Sequence, residues 1–417
     1  MSNTTNSEMV ATTPSWLTLD FVQDVLRRSE SDNSIEVVDM FVKMATKMGD
    51  NYSSDIIRVY TDFTRKQGNR DCTEKKSLIV KLAPTEGARK DIIADFGVFG
   101  KEISMMTDAL PKMNEILGME HRLGARALHV QKEEPSFLIV EDLAPLGFQM
   151  ADRESGLDLA HSVMAIKNIA KFHASSIILC EKNPSYKKLY EKGMFHSDFE
   201  LKSEFTIFFK HGIIALADEV ESWPELGEKY AKKLRVIAEK VYELGINAVT
   251  RDEDEFNVIN HGDCWVNNML FKYNDEGKPV NHIFVDFQIS SYTSPAIDLL
   301  YFLNTSPCKE VYETSTQYLL DQYLETLTST LRELGYKGEI PTMAKLKKAL
   351  DKRMAYALIA AFTVLPIVLA DKNNIKAMDE MLADGYDNPA YKNDRYRQVI
   401  NKRIIQFDEL GILDRFQ

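Results

Sequence analysis

Apolar and polar positions change their period several times along the chain, and each change marks a new element. "SWLTLDFVQDVLRRSE", residues 15–30, carries apolar residues at helical steps and predicts a short amphipathic helix after a polar start. From 34 to 83 the pattern becomes β-rich in "SIEVVDMFVKMATKM", "DIIRVYTDFTRK" and "KKSLIVKLAP". The polar stretches "GDNYSS" and "QGNRDCTEKK" separate these runs, which predicts an antiparallel meander. Helical spacing returns over 88–117 in "RKDIIADFGVFGKEISMMTDAL", with Pro111 expected to stop it. "SFLIVEDLAPLGF" then supplies one more buried strand that runs into a linker. Residues 157–248 read as helical almost throughout, 256–288 as a brief β interlude, and 296 to the end as helices again. The expectation is an α+β, bilobal chain: a tail and short helix over 1–33, a small β-rich lobe over 34–142, and a larger helical lobe over 143–417 with one embedded hairpin.

Composition narrows the chemistry. A chain of 417 residues with 44 % hydrophobic and 27 % charged residues is globular rather than disordered. Its 51 basic against 63 acidic residues leave a net charge of -12, which repels phosphate backbones and argues against a nucleic-acid partner. Cys72, Cys180, Cys264 and Cys308 show no paired spacing, so neither a disulfide framework nor a zinc site is expected. Residues 1–16 lack the basic-then-apolar order of a signal peptide, and a cytoplasmic monomer is the expectation. The uncharged "MAYALIAAFTVLPIVLA", residues 354–370, is read as a buried helix of the large lobe rather than a membrane span, since it is short and contains Pro366.

The candidate chemistry sits on the β interlude. In "VINHGDCWVNNMLF", residues 258–271, polar groups crowd between two apolar runs. The runs "MLFKY" and "HIFVDF" flank the turn signal "NDEGKP". A hairpin folded symmetrically about Gly277 would set Asn268 opposite Asp286, with Asp263 five residues earlier across a loop that opens at Gly262. Two carboxylates and an amide oxygen suit Mg²⁺, which keeps part of its coordination for phosphates. This points to phosphoryl transfer, with Asp286 and Asn268 on the metal and Asp263 accepting the proton of an attacking hydroxyl. His261 is expected to brace backbone carbonyls near Asp286. A nucleophile built from Cys264 and His261 has neither an orienting acid nor an oxyanion motif to support it.

"HGDCWVNN" followed by "FVDFQISSYTSPAIDLLYF" resembles the ecdysteroid kinase-like and choline kinase-like proteins, a branch of the aminoglycoside phosphotransferase and protein kinase superfamily. The resemblance implies a protein-kinase-like fold, with Asp263 as catalytic base and Asn268 and Asp286 as magnesium ligands. It makes Trp265 a signature of the branch and Asp298 a brace for the catalytic loop. Lys81 in "LIVKLAP" matches the strand lysine that holds the α and β phosphates, and Glu102 in "FGKEISMM" the helix glutamate that pairs with it. The backbone of Glu141 and Leu143 would meet the adenine edge, and His173 in "IAKFHASS" is a packed histidine. The phosphate loop "KMGDNYSSDI" has a single glycine, Gly49, so its cradle falls to Asn51, Ser53 and Ser54. Gln288 stands where protein kinases carry glycine.

Two readings follow. One is an ATP- and Mg²⁺-dependent kinase acting on a small-molecule hydroxyl, an ecdysteroid or another hydroxylated lipophile; the other is a nucleotide- or ligand-binding pseudokinase without turnover. P-loop ATPase and protein kinase activities lack their motifs. The aromatic-rich region from about 190 to 230, with Trp223, offers either an apolar acceptor pocket or plain core.

Overall fold

A computed structural model describes residues 13–45, 54–85, 90, 97–118, 120–198, 204–371, 380 and 388–416. The first helix, α1 (Leu19–Glu30), starts where the Thr18 hydroxyl accepts the Phe21 N–H at 3.2 Å, which satisfies one of its orphan donors. Its apolar stripe of Val22, Val25 and Leu26 is buried against one face of a five-stranded sheet. Each such side chain contributes about 2 kcal/mol of burial.

The sheet consists of β1 (Glu36–Met44), β2 (Asp55–Gln67), β3 (Arg70–Leu82), β4 (Ala127–Gln131) and β5 (Phe137–Glu141) in the order β1-β2-β3-β5-β4, antiparallel throughout. Strand alternation sends Ile57, Val59 and Phe63 of β2 toward α1. Ile56, Arg58 and Tyr60 fall on the opposite face, paired with Lys81, Ile79 and Ser77 of β3. The meander is as expected, but "QGNRDCTEKK" is not a separator. Gln67 pairs directly with Arg70, and the polar residues continue the hairpin outward. Cross-strand charge pairs such as Lys75 with Asp62 at 3.0 Å take the place of apolar alternation where the sheet extends past α1.

Pro111 does not stop its helix. Val98–Ser104, Met105–Ala109 and Leu110–Leu117 form one run, α2, whose middle turn widens so that the Leu110 N–H reaches the Met105 carbonyl. A proline ring clashes with the carbonyl four residues back, and the wide turn next to it relieves the crowding. The same device recurs in the apolar stretch that raised the membrane question. There the wide turn Ala360–Val364 precedes Leu365–Leu369, with Pro366 at its start.

The chain crosses between lobes through Asp142 and Leu143 and is fastened by β6 (Phe148–Met150), which pairs with the β8–β9 hairpin (Met269–Tyr273 and Pro279–Phe284). β7 (Val258–Asn260) pairs with β10 (Ser291–Thr293), a strand that the sequence pattern does not announce. Helices α3 (Leu159–Lys182), α4 (Ser185–Leu189), α5 (Glu204–Glu221), α6 (Gly227–Val249), α7 (Ala296–Thr305) and α8 (Lys309–Glu333) build the body of the large lobe. Residues 354–365 lie mostly buried in its core. One described helix, α3, is long and apolar enough to cross a membrane, and most of it is buried inside the lobe. The result is a bilobal protein-kinase-like fold, a small sheet lobe over a helical one, with the hairpin at their junction.

Candidate active site

β7 delivers the chain into a tight loop whose backbone is held by one carboxylate. Asp298, in the first turn of α7, accepts the His261 N–H at 2.7 Å and the Gly262 N–H at 2.8 Å. His173 of α3 lies 3.0 Å from the same carboxylate, and its other ring nitrogen lies 2.9 Å from the Tyr323 hydroxyl on α8. Four elements therefore fix the turn. Gly262 is required there: its φ is 88°, and a Cβ would lie 2.2 Å from the Ile289 carbonyl oxygen. The His261 ring donates from Nε2 to the Val285 carbonyl at 3.0 Å and accepts the Asp263 N–H at 3.3 Å through Nδ1. Burial lowers its pKa, so it is a neutral brace with an assigned tautomer.

Asp263 projects from this loop. Tyr301, three residues beyond Asp298 on α7, donates to its Oδ1 at 2.7 Å, and the Asn268 amide donates to its Oδ2 at 2.7 Å. Burial, with the charge of Asp286 behind it, pushes its pKa up to about 7, while hydrogen bonds from Tyr301, Asn268 and Trp265 pull the other way. Cys264, its neighbour, is fully buried with a thiol pKa raised by that burial, which leaves it inert as a nucleophile.

The hairpin is not symmetric about Gly277. Met269 pairs with Phe284, which puts Val285 rather than Asp286 across from Asn268, and the Val285 N–H donates to the Asn268 carbonyl at 3.0 Å. The slip arises because Asn274 caps the turn, its side chain accepting the Glu276 and Lys278 N–H groups, and because the ladder is irregular between Lys272 and Tyr273. Asp286 instead leaves the ladder with a left-handed φ of 66°, a conformation that an L-residue other than glycine seldom adopts.

That turn lets Asp286 meet the small lobe. Lys81 lies 2.9 Å from Asp286 Oδ1 and 2.8 Å from Glu102 on α2, with Lys81 and Glu102 both buried. Burial opposes the Lys81 charge, but Asp286 and Glu102 outweigh it and its pKa rises. Burial raises the Glu102 pKa, against the pull of Lys81 and with the push of Asp286; the Gln288 side chain reaches the same carboxylate. Glu141 closes β5, its side chain bonded to Arg122 and to the Arg126 N–H, and the Leu143 carbonyl accepts the Leu146 and Phe148 N–H groups. Ser54 is buried; Asn51 and Ser53 lie outside the described residues.

Two constellations do not show in the sequence pattern. Tyr301 is visible in retrospect as the residue one helical turn from Asp298, and so on the same helix face. The cluster of Arg58, Ser77 and Asp142 left no local signal. The aromatic region resolves largely into core, with Phe195, Phe209 and Trp223 all buried. It approaches the site through Tyr356, whose ring centroid lies 6.0 Å from those of both Phe195 and Tyr301.

Residues 48–336 match the model of the ecdysteroid kinase-like family, a range that takes in every side chain described above from Ser54 to Tyr323. The chain belongs to the ecdysteroid kinase-like family. Membership makes it a small-molecule kinase, a phosphotransferase on the bilobal fold. No curated protein matches this ecdysteroid kinase-like chain. Among solved structures 24 chains match it. One is an ethanolamine kinase from Plasmodium vivax, 12 % identical, covering 92 % of this chain and 88 % of its own with a TM-score of 0.41. At that score the likeness adds nothing to the geometry.

Proposed function

We propose that this protein transfers the γ-phosphate of MgATP to a hydroxyl of a lipophilic small molecule, with Asp263 as the base. The observation that carries the reading is Lys81, bridging Glu102 of the small lobe and Asp286 of the large one beside a carboxylate held at a pKa of about 7. One ammonium among three carboxylates leaves the junction short of positive charge, the condition that a divalent cation relieves. Among the described residues no cluster of three His, Cys, Asp or Glu side chains forms a metal cage. The donors on hand are Asp286 and Asn268, whose Nδ2 is engaged by Asp263 and whose amide oxygen therefore faces away from it. A small oxygen set of this kind fits Mg²⁺ bound jointly with phosphates. Bound there, the metal would neutralise charge developing on the transferred group.

The chain's own residues do the rest. Lys81 exchanges a carboxylate for the α and β phosphates while Glu102 keeps it aimed. Tyr301 and the Asn268 amide orient the two oxygens of Asp263, which takes the acceptor hydroxyl proton as attack begins; a base with a pKa near 7 is matched to that task. Glu141 and Leu143 present backbone groups to the adenine edge, and Ser54 stands at the phosphate end. The acceptor class rests on the family and on the apolar surroundings of the base, where Cys264, Trp265, Tyr301 and Tyr356 are buried.

The test is calorimetric titration with MgATP followed by phosphate transfer to a panel of ecdysteroids and other hydroxylated lipophiles. Asp263→Ala is expected to keep nucleotide binding and lose turnover by at least about a thousandfold, whereas Asp286→Ala loses both. Full activity in either variant ends the assignment, and wild-type binding without any turnover would mark a sequestering protein instead.

A further inference from the structure

On the cleft face of the sheet one side chain has no place in the chemistry above. Arg58 shares that face with Lys81: Ile56 is paired with Lys81 and Arg58 with Ile79, so Arg58 lies two residues farther along β2 toward the interlobe linker. Its guanidinium is an ion partner of Asp142, the first linker residue after β5, with Nε 2.8 Å from Oδ2 and Nη2 donating to Oδ1 at 3.3 Å. Asp142 is itself immobilised. Its Oδ2 accepts the Ser77 hydroxyl at 2.7 Å, its Oδ1 accepts the Ala144 N–H at 3.1 Å, and only 4 % of its side chain is exposed. Arg58 keeps 26 % exposure. Nη2 alone makes the hydrogen bond, since Nε, though close to Oδ2, is not aligned with it, and the ion pair holds a partly exposed guanidinium whose planar surface is available for stacking. Its position is between the phosphate-holding lysine and the linker backbone of Glu141 and Leu143, where a nucleotide base belongs if Lys81 takes the phosphates.

We propose that Arg58, locked by Asp142 and Ser77, is the plate on which the nucleotide base stacks. The assignment rests on the proposed nucleotide site and goes beyond it by naming the residue that reads the base rather than the phosphates. Ile79, its partner across the ladder, completes an apolar roof, and the guanidinium adds a cation-to-π attraction to any purine beneath it. Asp142 acts through Arg58 as a positioning residue, since a free arginine would spread over many rotamers and lose the orientation that a stack requires.

Two ligands that differ in having a base separate this role from a general one. MgATP and magnesium tripolyphosphate are titrated calorimetrically into the full chain and into Arg58→Leu, Arg58→Lys and Asp142→Asn, with melting temperatures recorded for each. The expected result is an affinity for MgATP about tenfold weaker in Arg58→Leu and in Arg58→Lys, whose ammonium has no plane, with tripolyphosphate affinity unchanged. Asp142→Asn falls between them and wild type. Arg58→Lys keeps the charge and the aliphatic stem, so the comparison stands even where Arg58→Leu fails to fold. Equal losses for both ligands, or an unchanged MgATP affinity in Arg58→Lys, overturn the stacking role while leaving the kinase reading intact. Wild-type protein that binds no MgATP overturns both.

Discussion

The two halves of the site are built on different principles. The large-lobe half, from Asn260 to Tyr301, is a short stretch of chain folded back on itself. A chain of hydrogen bonds ties its loop: Asp298 holds two backbone amides and His173, His261 ties Asp263 to Val285, and Tyr301 and Asn268 hold both oxygens of Asp263. The small-lobe half brings together Lys81, Glu102 and Arg58 from three separate elements, and an ion pair ties it to the hairpin, Lys81 reaching Asp286 across 205 residues of sequence. A dense hydrogen-bond network is rigid before any ligand arrives, whereas an ion cluster with surplus negative charge rearranges when the balance changes. The difference separates a preorganised surface around Asp263 from a clamp of opposed charges around Lys81.

The sharpest way to break that contrast is at Asp298. Asp298→Ala strands two buried amides and His173, and is expected to lower unfolding stability by about 4 kcal/mol, read by denaturant titration. A loss below about 1 kcal/mol would mean the large-lobe half is not held as rigidly as its geometry implies.

The clamp should behave otherwise. Lys81→Met is expected to abolish nucleotide binding while costing about 2 kcal/mol, because Glu102, whose pKa is already raised by burial, takes up a proton instead of remaining charged. Adding Glu102→Leu should restore most of the stability and none of the binding. If the double variant stays as unstable as the single one, the ion cluster is structural after all.

Asp263 offers a pH-dependent test. Its folded pKa of about 7 lies above the ordinary carboxylate value, so between those two pH values the folded state holds the extra proton, and stability falls as pH rises through that window. Without nucleotide, Asp263→Asn should therefore unfold at higher denaturant than wild type at pH 8, by about 2 kcal/mol, with the advantage vanishing near pH 4. The smallest expected effect is at Tyr301. Its hydroxyl lowers the Asp263 pKa, so Tyr301→Phe should move the acidic limb of the rate profile upward by about half a pH unit with little change in the plateau.

Much of this division is visible in the chain itself, and the places where it is not are instructive. Asp263, Asn268 and Asp286 fall within one hairpin, so spacing and turn chemistry group them, and the small-lobe residues Lys81 and Glu102 enter through the likeness of their motifs. The hairpin register differs by one residue from the count about Gly277 because Asn274 caps the turn through its side chain. Pro111 reads as a stop signal in any local pattern, yet a wider helical turn just before it lets α2 continue and carry Glu102 to the site.

What the sequence determined is therefore the local order: which segments are strand or helix, which loop carries the polar cluster, and which side chains are chemically equipped for phosphoryl transfer. Periodicity and turn propensity act over a few residues, and these features lie within that reach. The tertiary structure alone decided that His173 and Tyr323 support Asp298, that Tyr301 fixes Asp263, and that Arg58 is locked to Asp142 between the lysine and the linker. Those pairings join elements far apart in the chain. They are set by packing and by the need of buried charges for partners, neither of which leaves a repeating trace in the order of the residues.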